Sequence, residues 1–267
     1  MSGPDAGGWR TLPRLDRLGV LATLVGGTTL AWIYLFRLAD EMGAASMSME
    51  SVQIRPWEVA DFALIFLMWT IMMVGMMVPS AAPSVMMYAA IARKAARDRT
   101  VVPPTTIFIS GYVAMWTLFC VAATLAQWAL DQAALLSPMM VTTSPAIGST
   151  LLIAAGIYQL TPMKRACLNH CRSPAHFLAQ HWRVGTAGAF RMGLEHGAYC
   201  LGCCWVLMGL LFVGGVMNLL WIAAIATFVF AEKAIPFPDS STPVRVTGGA
   251  MVLAGLILLV AWAVGGG

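Results

Sequence analysis

The chain is 267 residues long, 59% hydrophobic and only 10% charged, with a mean hydropathy of +0.77. A soluble domain carries roughly a quarter charged residues, so the composition excludes a soluble globular protein and points to an all-α polytopic transmembrane helix bundle. The formal net charge of +4 is informative only through its distribution, and no nucleic-acid partner is expected; the lipid bilayer is.

Seven apolar spans are read in chain order, at about 18–38, 59–79, 105–130, 146–163, 192–214, 217–235 and 246–264. Each approaches the ~20 residues that a membrane helix needs. Six spans is the alternative, because only the short Gly214-Gly215-Val216-Met217-Asn218 turn divides the fifth from the sixth. Fourteen of the sixteen basic residues fall on one side of this arrangement, Arg37 and Arg55 being the exceptions. Arg10, Arg14 and Arg17 precede the first span; Arg93, Lys94, Arg97 and Arg99 follow the second. Lys164, Arg165, Arg172, Arg183 and Arg191 lie between the fourth and fifth, and Lys233 and Arg245 between the sixth and seventh. The positive-inside rule then puts the N-terminus in the cytoplasm and the C-terminus outside, as expected of a bacterial inner (plasma) membrane protein. The first span is too long for a signal-peptide core and no small-residue cleavage site follows it, so it is expected to be retained. Residues 1–267 read as a single transmembrane domain without repeats.

After the first span, Met42, Met47 and Met49 mark a presumed outer loop. Asp61 opens the second helix beside Trp57 and Glu58, where a carboxylate suits the helix dipole. That helix carries Met68, Met72 and Met76 at intervals of four, with Met73 and Met77 in the adjacent row and Pro79 expected to kink or end it. Residues 80–92 continue it as an amphipathic segment. A thioether ladder suits Cu(I), although methionine also fills gaps between packed helices. Cys120, alone in the third span, reads as a small buried hydrophobe. Trp9, Trp57, Trp128 and Trp262 fit interfacial positions.

From Tyr158-Gln159 onward the chemistry thickens. Tyr158 and Gln159 suit interhelical hydrogen bonds. Five of the six cysteines and all four histidines lie between Cys167 and Cys204. Cys167, His170 and Cys171 stand at i, i+3 and i+4, on one face of a helical turn, with Met163 one turn earlier. His196, Cys200, Cys203 and Cys204 repeat that geometry, and Met208 extends it. Cytosolic thiols stay reduced, and thiolate, imidazole and thioether donors suit Cu(I) or Zn(II). His176 and His181 read as solvated loop residues. Gly193 and Gly197 place small residues on one face of the fifth helix for close packing. Glu195, Glu232 and Lys233 are ionisable groups near helix ends. They read as interfacial, with Lys233 snorkelling; if buried, Glu232 is a candidate to pair with Lys233 or to orient His196. No nucleotide loop, serine triad or zinc-protease motif is present, so no enzymatic activity is assigned.

Several stretches together resemble a bacterial family of metal-binding integral membrane proteins of unknown function. They are Met72-Met73-Val-Gly-Met76-Met77-Val-Pro79, Gly111-Tyr112 with Trp116, the run from Gly156 through Tyr158-Gln159, Pro162, Lys164, Cys167 and Cys171 to Pro174, and His196-Gly-Ala-Tyr-Cys200-Leu-Gly-Cys203-Cys204-Trp205. The likeness continues to Gly215, Met217, Asn218, Glu232 and Lys233 and covers about 60–235. It implies metal binding.

The leading expectation is a soft-metal protein for Cu(I), with Zn(II) the second candidate, acting in metal trafficking or homeostasis beside a metal chaperone or metalloprotein-assembly partner. Cys167, Cys171, Cys200, Cys203 and Cys204 are the expected thiolate ligands. His170 and His196 are the imidazole candidates, and Met72, Met73, Met76 and Met77 form a relay. The rival is a membrane thiol–disulfide oxidoreductase cycling Cys200-x-x-Cys203, which requires accessible, reactive thiols and a partner.

Overall fold

The computed structural model describes residues 14–48, 57–97, 102–137, 140–235 and 241–265. Trp9, Arg10, Met49, Arg55 and Arg99 lie outside the described residues. Ten helices run in chain order among those described: α1 (Arg14–Ser48), α2 (Val59–Arg97), α3 (Thr105–Gln132), α4 (Pro145–Leu160), α5 (Pro162–Arg172), α6 (Pro174–His181), α7 (Gly185–Gly209), α8 (Leu211–Gly214), α9 (Leu219–Ala234) and α10 (Ser241–Val264). The described β structure amounts to one isolated bridge, Leu136 to Thr142.

Among the described residues, five helical stretches are long and apolar enough to cross a membrane: Arg17–Glu41, Val59–Ala95, Thr105–Gln132, Gly185–Gly214 and Val244–Val264. A sixth arises if α4 and α5 count as one span bent by 66°. The expected seven includes one more stretch. The apolar stretch at 217–235 folds as α9, only 16 residues long, short of the ~20 needed. The bend between α4 and α5 has a local cause. Pro162 cannot donate to the carbonyl one turn back. The Tyr158 carbonyl is instead taken by the Thr161 backbone N–H, and Thr161 Oγ1 accepts from the Lys164 N–H as the N-cap of α5.

Three further sequence expectations change. Met42 and Met47 fall within α1 rather than in a loop. Pro79 neither ends nor interrupts the assignment of α2, which runs on through Pro83 to Arg97. The polar segment 164–191 is largely helical, and α7 begins at Gly185, seven residues before the apolar stretch. Ala189 and Met192 are fully buried there, so packing carries the helix beyond its hydropathy.

The core is formed by α2, α3, α6, α7 and α9 around the methionine row and the cysteines. At the α3–α7 crossing, a Cβ on Gly193 would collide with the Phe108 carbonyl, and one on Gly111 with the Phe190 carbonyl. Gly197 likewise faces Met115 and the Tyr112 carbonyl. The small residues of the Gly193-x-x-x-Gly197 pair therefore serve backbone approach, as expected. That approach sets Tyr112 beside His196 and Cys200. At the other end of α2, Trp57 Nε1 donates to Asp131 (2.8 Å), and the Glu58 N–H donates to Asp61 (2.8 Å), satisfying an orphan donor of the first turn. Trp128 and Trp262 remain partly exposed. Cys120 is buried beside Thr70 on α2.

Candidate metal centre

Residues spaced by four on a helix drift by only ~40° per step. Along α7, Met192, His196, Cys200, Cys204 and Met208 follow that spacing, and all five are buried. Cys203 joins them from the adjacent row. Met192 lay just outside the stripe read from sequence, because the helix was expected to start there. The thiols of Cys203 and Cys204 both donate to the Cys200 carbonyl, at 3.0 and 2.9 Å. A rotation about one side-chain bond releases each of them.

The bend at Pro162 turns α5 back along α7. Cys171 thereby comes within hydrogen-bonding reach of Cys200 and Cys203, and Cys204 has the same two neighbours. Cys167 lies against Gly202, its Sγ 2.8 Å from where a Cβ would stand. Tyr158 donates to the Gly202 carbonyl. The structure therefore brings Cys167 and Cys171 from α5 onto Cys200, Cys203 and Cys204 from α7. All six cysteines are unbridged. Among the described residues, no three His, Cys, Asp or Glu side chains already surround a common point as ligands. Four of the thiols are near neighbours, and two of those are engaged with backbone.

Two other side chains reach Cys200. Lys233 Nζ lies 2.9 Å from Cys200 Sγ and 3.0 Å from Ser80 Oγ. Tyr112 Oη lies 3.0 Å from Cys200 Sγ and 3.0 Å from the Met77 carbonyl. Ser80 also donates to the Met77 carbonyl (2.8 Å). Cys200 is thus tied to the Pro79 segment of α2 by two hydrogen-bonded bridges, one through α3 and one through α9. Met68, Met72, Met73, Met76 and Met77 are all buried. What the bridges engage is the Met77 backbone.

Sequence placed Lys233 at the interface. It turns inward to the thiols, and its neighbour Glu232 is committed elsewhere. Glu232 binds Lys164 Nζ at 2.7 and 3.0 Å and accepts from Gln159 Nε2 at 3.2 Å; Lys164 also donates to Gln159. Arg172 Nε donates to the Glu232 carbonyl (2.7 Å). Lys164 and Gln159 are fully buried and Glu232 nearly so. Glu232 therefore pairs with neither Lys233 nor His196. Glu195 Oε1 pairs with Arg183 and Arg191, at 3.2 and 3.0 Å, while its Oε2 is buried without a partner.

The two imidazole candidates separate. His196 is buried among Phe108, Tyr112 and Phe177, with ring centroids 6.1, 5.7 and 5.1 Å away, and its Nδ1 has no hydrogen-bond partner. An orphaned buried nitrogen one turn from Cys200 fits a soft-metal donor set. His170 stacks on Tyr199, with centroids 4.2 Å apart and planes within 1°. His181, expected in solvent, belongs to α6 and stacks on Phe177 (4.7 Å). His176 is exposed, as expected. Met163 is 58% exposed and takes no part in the group.

The family model described as PpoB2, a copper chaperone, matches residues 66–258, and the chain belongs to this family. No curated protein and no solved structure matches the chain.

Proposed function

We propose that this member of the copper chaperone family holds Cu(I) as cargo inside the membrane, on the thiols that α5 and α7 bring together. Cys171, Cys200, Cys203 and Cys204 are the primary donors, with Cys167 and His196 at the margin of the group. Cu(I) takes two to four soft donors, so the set is large enough to accept an ion and to pass it between overlapping pairs. The observation that carries the reading is the meeting of Cys171 with Cys200 and Cys203 beside Lys233. A Cu(I) ion on two thiolates carries one negative charge, costly in a low-dielectric interior. The Lys233 ammonium stands where it offsets that charge.

Met72, Met73, Met76 and Met77 supply a sulfur row on α2 that leads toward the Pro79 segment hydrogen-bonded to Cys200. Methionine accompanying cysteine favours copper over zinc. The distribution of basic residues puts the α5–α6 side in the cytoplasm of a bacterial inner membrane, where a soluble chaperone or an assembling metalloprotein exchanges the ion. The family description favours this reading over thiol–disulfide exchange.

The test is metal content per chain by elemental mass spectrometry after anaerobic purification, beside a Cys200→Ser/Cys203→Ser/Cys204→Ser variant. Copper present in the parent and reduced in the variant supports the reading. Parental copper content in the variant, or zinc in place of copper, overturns it.

A further inference from the structure

His170 and His181 were drawn apart from the thiol group by the fold and toward each other. Their ring centroids are 6.3 Å apart, with planes at 74°. Each ring is oriented in the same way. His170 Nδ1 lies 2.9 Å from the Ala166 carbonyl, and His181 Nδ1 lies 3.0 Å from the Phe177 carbonyl, each one turn back on its own helix. A carbonyl only accepts, so Nδ1 carries the proton in both rings and the lone pair is on Nε2. A backbone carbonyl on the far nitrogen is how metal-binding histidines are usually oriented.

The rings are also held in place. His170 lies flat on Tyr199, and His181 lies on Phe177 and edge-on to Tyr199 (5.9 Å). The Ser173-Pro174 junction between α5 and α6 brings the two histidines from separate helices to one spot. A metal–imidazole nitrogen bond is about 2.0 Å and the ring centre lies about 1.1 Å further, so two imidazoles on opposite sides of one ion stand roughly 6–6.5 Å apart. The observed separation fits that span.

We infer that His170 and His181 form a second site, a two-imidazole seat for Cu(I), beside the thiol group. Two neutral donors match the low coordination that Cu(I) accepts and fall short of the four that a Zn(II) site requires. The seat adjoins the thiols through the chain itself. His170 precedes Cys171, and Tyr199, which supports His170, precedes Cys200. Phe177 lies between His181 and His196, with centroids 4.7 and 5.1 Å from them. An ion on the imidazoles is one aromatic layer from His196. The inference rests on the copper reading for the identity of the cargo, and its ligands are distinct.

The experiment uses the full chain in detergent under anaerobic conditions, loaded with Cu(I) alone. Copper content is measured together with the imidazole outer-shell scattering in X-ray absorption. Four proteins are compared: the parent, His170→Phe/His181→Phe, Cys200→Ser/Cys203→Ser/Cys204→Ser, and all five changes combined. Phenylalanine keeps both stacks and removes both nitrogens, and a His181→Gln variant gives a smaller perturbation. The double Phe variant is expected to bind one ion fewer than the parent and to show weaker imidazole scattering. The cysteine variant is expected to keep an imidazole-bound ion that disappears in the combined variant. Unchanged copper and scattering in both the double Phe and the His181→Gln variants overturn the second site and leave the thiol reading standing. A cysteine variant with parental copper content overturns the thiol reading alone. A parent that binds no copper overturns both.

Discussion

Lys233 Nζ stands 2.9 Å from Cys200 Sγ, at the point where three helices and the cysteine group converge. The same ammonium reaches Ser80 on α2, so one side chain joins the sulfur group of α7 to the proline-containing part of the methionine helix.

Replacing Lys233 by Leu keeps an apolar stem, removes the charge and adds no metal donor. Partners that support metal ligands without touching the metal are typically worth 10–100-fold in affinity. Cu(I) affinity, read by competition with a coloured chelator, is expected to fall by about that factor. Lys233→Arg is expected to retain part of it. Equal affinities in all three proteins remove Lys233 from the site.

The Lys164–Glu232 pair makes a stability prediction independent of metal. Lys164 is fully buried, and Glu232 is its acidic partner. Glu232→Ala strands a buried ammonium, and breaking such a pair costs about 3–5 kcal/mol. Lys164→Met with Glu232→Leu removes both charges and is expected to recover most of that loss. Thermal unfolding in detergent separates the outcomes; equal destabilisation by the single and double changes contradicts the pairing.

The α3–α7 crossing depends on having no side chain at Gly193. Gly193→Ala pushes a methyl into the Phe108 carbonyl, and overpacking of this kind costs about 1–3 kcal/mol. Because Tyr112 sits on the same crossing, copper retention is expected to fall with the melting temperature. Gly209→Ala is the control, with no atom within 4 Å of the added methyl. It is expected to match the parent in both measurements.

The methionine row is tested by Met72→Leu/Met76→Leu. Both residues are buried, and a Leu-for-Met exchange usually costs under ~1.5 kcal/mol. Cells producing this variant are expected to accumulate less copper at unchanged levels of folded protein. Accumulation equal to the parent shows that the row only packs.

How much of this was legible in sequence follows from what is local. The thiol positions on α5 and α7 repeat at helical intervals within one turn or two, so their shared faces were readable. So were the small-residue face at Gly193 and Gly197 and the place of Asp61 in the first turn of α2, where it accepts from the Glu58 N–H. The partner of Lys233 was not readable, because Cys200 lies 33 residues away and Glu232 is the obvious local choice. Glu232 is withheld by Lys164, a residue that sequence assigned to a loop and that the bend after Thr161 buries. The Gly214–Asn218 turn was legible as the divide between the fifth and sixth apolar stretches, but not how far it shortens α9: Gly215 stands at φ 98° and Asn218 caps the Trp221 N–H at 3.2 Å. His181 was assigned to solvent because α6 has too few residues to show a clear period.

The 66° bend between α4 and α5 also decides what kind of contact holds the sulfur group. Cys171 and Cys200 are 29 residues apart, and Lys233 lies 33 residues beyond Cys200, so the thiols and their cation are closed by loops of nearly equal length and nearly equal chain entropy. The charge and the sulfur atoms it faces are therefore expected to come together, and to be lost, as one cooperative unit.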